Sequence, residues 1–212
     1  NNMAISKEKS THMRKKILID IPKLEILSLY TLDYRLRIHG RAISKQLKLS
    51  QKNISNHLKR MHEMGIINYE ILGKNKNYYL NNTENIRLFL MQTEIFKALK
   101  IFNNNFEIQD ITANIKGYLE GIILIFGSFS KGYAAKGSDL DMLVIGKIKN
   151  RAKIEKIRAR YNIKLHLLSV SKKEFENGLR KKKAFMIEIL KGHIIVEGFE
   201  EFVNIVWRFY NE

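Results

Sequence analysis

The sequence predicts an α+β protein of two domains, helical with a small hairpin in the first and built on a mixed sheet in the second. Three observations carry this. Across residues 17–82, helical periodicity gives way to two short strand-like runs around a polar turn. Across residues 106–212, buried strand patterns alternate with amphipathic helices, the order of an α/β domain. Between them, residues 83–105 read as a connecting helix that ends in "NNN" at Asn103–Asn105, a break signal.

Composition sets the bounds. The chain has 212 residues, enough for one large domain or two small ones. Its 45% hydrophobic content supports a packed core and excludes wholesale disorder. The absence of cysteine excludes disulfides, thiolate zinc sites and cysteine nucleophiles, and it fits the reducing cytoplasm, the expected location. No apolar run approaches the ~20 residues of a membrane helix, so no membrane partner is expected. The opening "NNMAISKEKSTHMRKK" has no apolar signal core and reads as a loose tail, its two leading Asn as an expression scar. The formal net charge of +17 favours phosphate-rich partners, nucleic acid or nucleotides. That excess is concentrated in the first half of the chain.

In the first domain, "IPKLEILSLYTL" carries Leu24, Leu27 and Tyr30 or Leu32 on one helical stripe, with Pro22 near its start. "GRAISKQLKLS" follows, with Ile43 and Leu47 at i, i+4. Ser50 is placed to cap "QKNISNHLKRMHEM", where Ile54, Leu58 and Met61 share a face and Gly65 stops the helix. "IINYEIL" and "YYL" then read as strands joined by the turn "GKNKN". This order resembles a winged helix-turn-helix domain, over roughly Lys23 to Leu80, and the resemblance implies DNA binding. With the apolar face of the third helix buried, Gln51, Lys52, Asn53, Ser55, Asn56, Lys59 and Arg60 remain to meet a groove. Asn and Gln suit adenine edges, Lys and Arg suit guanine or phosphate. Lys74 and Lys76 stand where a wing would touch phosphates. A protein-binding winged helix with a solvated polar face is the competing reading. His57 and His62 are five apart, off the spacing of a helical metal pair.

"TENIRLFLMQTEIFKALKIF" is the connecting helix, with Thr83 as its cap and Glu84 in its first turn. In the second domain "FEIQDITANIKGYLE" reads as helix, "GIILIFG" as a buried strand, "SFSKGYAAKG" as a short helix or turn, and "DLDMLVIG" as a second strand. "KNRAKIEKIRARY" is a basic amphipathic helix and "NIKLHLLSV" a third strand. "SKKEFENGLRKKKAFMIEILKG" is helical in two pieces, "HIIVEG" extended, and "FEEFVNIVWRFY" a closing helix.

Chemistry concentrates in "GSFSKGYAAKGSDLDMLV". Asp139 and Asp141 point to one face of a strand, ~7 Å apart along the chain. Two carboxylates so placed suit hard cations that bind together with substrate phosphates. Gly127 lets a phosphate approach the backbone, and Ser128 offers a hydroxyl and an amide. Lys131 and Lys136 add positive charge. The spacing from Gly127-Ser128 to Asp139 and Asp141, with Lys131-Gly132 and Ser138 between, resembles the signature of the polymerase-β-type nucleotidyltransferase superfamily, in particular its minimal members. The resemblance implies Mg2+ on Asp139 and Asp141, a nucleoside triphosphate held by Gly127, Ser128, Lys131 and Ser138, and transfer of a nucleoside monophosphate.

The family also uses a third carboxylate on a neighbouring strand. Here the matching face of "NIKLHLLSV" holds Lys164 and His166, and Glu155, Glu174 and Glu176 lie on helices elsewhere. His166 is a candidate base; a strand histidine without a catalytic role is the alternative. Two functions therefore stay open: a DNA-binding nucleotidyltransferase, or a winged-helix regulator whose second domain has lost catalysis. The basic run "RKKKAF", Arg180 to Phe185, suits either a nucleic-acid path or a solvated helix end. A homodimer stays open as well.

Overall fold

A computed structural model describes residues 19–211 except Tyr133, Ala135, Lys136 and Asn162. The expected tail and Lys136 lie outside the described residues. The first half runs α1 (Ile21–Tyr30), β1 (Ile38–His39), α2 (Gly40–Leu47), α3 (Gln51–Glu63), β2 (Ile67–Leu72) and β3 (Asn75–Leu80). Each helix begins at a side chain that takes up a free amide: Asp20 accepts from Lys23 N, His39 Nδ1 from Ala42 N, and Ser50 from Asn53 N. Ile26, Leu27, Tyr30, Ile43, Ile54, Leu58 and Met61 close the core between them.

Two details differ from the sequence reading. The strands pair from Ile67↔Leu80 out to Leu72↔Asn75, which leaves Gly73-Lys74 as a two-residue turn. Lys76 is thus a strand residue, its ammonium 4.0 Å from the centroid of the Tyr69 ring across the hairpin. The two-residue β1 was not expected. It has no periodicity of its own and exists because Ile38 and His39 pair with Tyr78 and Asn77.

α4 (Glu84–Asn104) follows. Thr83 sits at its cap position, but its side chain makes no capping hydrogen bond. The second half continues with α5 (Phe106–Ile115), β4 (Leu119–Phe126), α6 (Gly127–Ser130), β5 (Leu140–Ile148), α7 (Arg151–Arg158), β6 (Leu165–Val170), α8 (Lys172–Arg180), α9 (Ala184–Lys191), β7 (Ile194–Glu197) and α10 (Phe199–Asn211). The helix read through "YLE" ends earlier, in a 3-10 turn at Lys116–Tyr118. Leu119 and Glu120 belong to β4 because they pair with Ile148 and Lys147.

The strand order is β6-β5-β4-β7, with β5 and β6 parallel and the other neighbours antiparallel, a mixed sheet. One face, with Ile123, Ile125, Met142 and Val144, packs on α5 and α7. The other, with Ile122, Leu124, Leu143 and Ile145, packs on α8, α9 and α10. That second core is continuous with the core of the N-terminal helices, because α4 packs against α1 on one side and against β7 and α10 on the other. No helix among the described residues is long and apolar enough to cross a membrane.

Candidate functional site

β4 ends at Phe126, which stands opposite Asp141 on β5. The chain then turns through Gly127, whose φ of +72° lies in the left-handed region. A Cβ there would come 2.3 Å from Asp141 Oδ2. Glycine is therefore required twice, by backbone conformation and by the carboxylate lying against it. Gly127→Ala is expected to displace the Asp141 carboxylate and weaken metal-dependent nucleotide binding more than overall stability; parallel melting and binding curves check this.

Asp139 immediately precedes β5 and Asp141 is its second residue, so both face the side covered farther along by α8–α10. The parallel register sets His166 opposite Asp141. Its Nδ1 lies 3.2 Å from Asp141 Oδ1 and its Nε2 3.7 Å from Asp139 Oδ2. The ring bridges the two carboxylates from the neighbouring strand. The cluster is open to solvent, with the His166 side chain 58% exposed. Lys164 lies one step before β6, exposed, and its carbonyl accepts from Leu140 N at 2.7 Å. Among the described residues no group of three or more His, Cys, Asp and Glu forms a ready metal cage.

The remaining predicted residues separate. Gly127 and Ser128 form the start of the single turn α6, and Ser138 directly precedes Asp139. Ser130 holds that turn to the core, donating to Gly127 O at 3.0 Å and Gly192 O at 2.9 Å. Lys131 passes over Gly192 and pairs with Glu188 Oε1 at 2.9 Å, so its ammonium is engaged on α9.

On α3, Gln51, Lys52, Asn53, Ser55, Asn56, Lys59 and Arg60 are exposed while Ile54, Leu58 and Met61 are buried. An open groove of about 230 Å³ lies between α3 and the hairpin, lined by Gln51, Ser55, Lys74 and Lys76, and also by His39 and Arg41, which the sequence did not single out. His57 Nδ1 lies 3.9 Å from Asp20 Oδ1 without a hydrogen bond, and His62 Nδ1 is 3.1 Å from Ile67 O.

A buried polar network joins the halves and was missed in the sequence. Glu94 on α4 is fully buried, with His193 Nε2 at 3.0 Å and Lys97 Nζ at 2.8 Å; Lys97 also donates to Thr31 at 3.0 Å. His193 Nδ1 faces the carbonyls of Ile189 and Leu190. Burial raises the Glu94 carboxyl pKa, but the Lys97 ammonium and His193 outweigh it and bring it down to about 2. Its signal was an acid on the inward face set by Ile86, Leu90 and Ala98.

Two family models match the chain: "Bacterial regulatory protein, arsR family" at residues 42–69 and "Nucleotidyltransferase domain" at residues 114–196. Over 79 residues the chain is 35% identical to the "Putative protein adenylyltransferase MJ0141" of Methanocaldococcus jannaschii, an alignment covering 35% of this chain and 74% of that protein. The second model spans the sheet from α5 to β7 and so includes Gly127, Asp139, Asp141 and His166, while the first spans α2, α3 and the start of the hairpin. The chain thus belongs to the nucleotidyltransferase domain family and carries an arsR-type helix-turn-helix ahead of that domain.

Proposed function

We propose that the protein binds DNA through residues 17–82 and transfers a nucleoside monophosphate from a nucleoside triphosphate to an acceptor through residues 106–212, with α4 between them. The observation that carries the transfer reading is the convergence of Asp139, Asp141 and His166 at the strand ends, with Gly127 against the Asp141 carboxylate. Two oxygen-donor side chains on one open face fit Mg2+, which is commonly held by one or two carboxylates plus substrate phosphates. When bound, the ion would neutralise charge on the phosphates. Asp139 and Asp141 would hold it; Gly127 and Ser128 leave backbone room for phosphate. In the transfer, an acceptor hydroxyl oxygen bonds to the α-phosphorus, the α–β bridge breaks, pyrophosphate departs with the bond's electron pair, and the hydroxyl proton passes to His166 or solvent. The name of the M. jannaschii relative points to a protein as one acceptor class. Incubation with α-labelled triphosphates and Mg2+ tests the reading: label should appear on an acceptor or on the chain and vanish in Asp139→Asn/Asp141→Asn.

The regulator reading has its own support, the His166 ring in place of a third acid. His166→Asp should then strengthen Mg2+ binding and raise turnover, with Lys164→Asp as the control. Label transfer by the wild type that collapses in His166→Ala would instead assign the base role to this histidine.

The exposed face of α3 and the lysines of the hairpin support duplex binding. Affinity is expected to fall steeply with salt, as basic groups release condensed counterions, and to drop in Lys59→Ala/Arg60→Ala. A salt-independent affinity would favour the protein-binding winged helix. A homodimer belongs to the same reading. α4 exposes Leu88, Ile95 and Leu99 at helical spacing, and sedimentation of the wild type against Ile95→Glu/Leu99→Glu checks it.

A further inference from the structure

We infer that the turn between α8 and α9 is a docking surface for single-stranded nucleic acid at the rim of the Asp139–Asp141–His166 cleft. Arg180, Lys181, Lys182 and Lys183 are four consecutive exposed cations, followed by exposed Phe185. Six cations of this half, Lys116, Lys131, Lys149, Arg158, Lys172 and Arg208, have carboxylate partners; others such as Arg151, Lys153 and Lys173 stand singly or spaced along helices, whereas this turn sets four side by side. Among the described residues none of these four has one within 4.0 Å. Glu174 on α8 feels Lys183 only at longer range, and its carboxylate is bound by Ser171.

The turn is held in shape. Lys182 N donates to Leu179 O at 2.8 Å and Lys183 N to Gly178 O at 2.9 Å. Gly178 lies so close to Met186 that a Cβ would meet its Cγ at 2.6 Å, locking α8 to α9. Lys182 has φ +50°, where glycine would be the low-strain residue.

The turn also has an address. The Phe185 ring packs edge-on against Phe126, centroids 5.7 Å apart, and Phe126 stands opposite Asp141. Leu168, 47% exposed, follows His166 on the same face of β6. The rim therefore combines a track of unpaired cations with exposed apolar surface. Single strands are bound by that pairing, cations along the backbone and an aromatic face under a base. A duplex hides its bases from such a platform, and a free phosphate has no use for the ring. The occupant is thus a strand whose end reaches the carboxylates. Its role as transfer acceptor rests on the function proposed above; its docking does not.

The experiment is fluorescence anisotropy of the full chain with labelled single strands and with a labelled duplex, across a salt series. Lys181→Ala/Lys182→Ala/Lys183→Ala should lose about tenfold or more in single-strand affinity at low salt, and its log-log salt slope should become shallower by about 2. Duplex affinity should hold, while Lys59→Ala/Arg60→Ala shows the reverse. Lys182→Gly removes charge while relieving the turn, and Phe185→Ala removes the stacking face; both should weaken single-strand binding in a chain that melts normally. Unchanged single-strand affinity and slope in the triple variant would overturn the inference. So would competition by polyglutamate equal to that of a strand, which indicates an acidic protein partner, or loss of Mg2+-dependent triphosphate binding instead, which gives the run to the nucleotide. Triphosphate binding unaffected by Asp139→Asn/Asp141→Asn would defeat the transfer reading alone and leave strand docking to its own result.

Discussion

Asp139→Asn/Asp141→Asn is expected to abolish Mg2+-dependent binding of a non-hydrolysable triphosphate and to reduce transfer by about 10³-fold or more. The substitutions keep size and shape, so the loss is one of charge. A hard cation beside a triphosphate needs anionic oxygen, and amide oxygens supply far less of it. Metal stabilisation of transferring phosphoryl groups amounts to several kcal/mol, and each ~1.4 kcal/mol is a factor of ten in rate. Both carboxylates are partly exposed, 37% and 27%, so the folded state tolerates their neutralisation. Calorimetric titration separates the outcomes. Equal metal-dependent affinity in wild type and variant would remove the site, while an unfolded variant would show itself first in circular dichroism.

Glu94→Ala should produce a large loss of stability. Glu94 lies fully buried between His193 and Lys97, and its removal takes the anionic partner from a buried imidazole and a largely buried ammonium. Breaking a buried pair from one side costs about 3–5 kcal/mol, for a chain of this length a Tm lower by roughly 10 °C or more. α4 shares its core with both halves, so the loss should appear in a single transition. The same group predicts a pH dependence. Its pKa is depressed to about 2, below the ~4.3 of an unfolded glutamate. Its stabilisation is therefore complete above the unfolded value and is lost as pH falls through the folded one. Melting between about pH 5 and 2 should be less pH-dependent in Glu94→Gln than in wild type. A Glu94→Ala chain that melts like wild type would show the network to be energetically idle.

Local pattern was enough for much of this protein. The 3.6-residue period of Ile54, Leu58 and Met61 defined the buried side of α3 and hence its exposed side, because a regular helix leaves no other choice. The two-residue period of an extended strand put Asp139 and Asp141 on one face, and the spacing back to Gly127-Ser128 marked the candidate site. Which residue faces that pair was decided elsewhere. Lys164 and His166 share a strand face, and only the parallel register of β6 on β5, set by packing over the α7 crossover, seats His166 opposite Asp141. Lys131 sits three residues from Ser128 in the chain, yet its long side chain follows Gly192 to Glu188, a partner 57 residues away. α4 reads as a connector because its apolar residues nearly surround it. Its Glu94 meets His193 across 99 residues, and no local period encodes a contact of that kind. Non-local packing also sets Phe185, two residues past the basic turn, against Phe126 at the end of β4, two rings that the sequence holds 59 residues apart and that touch only because α9 folds back over the sheet.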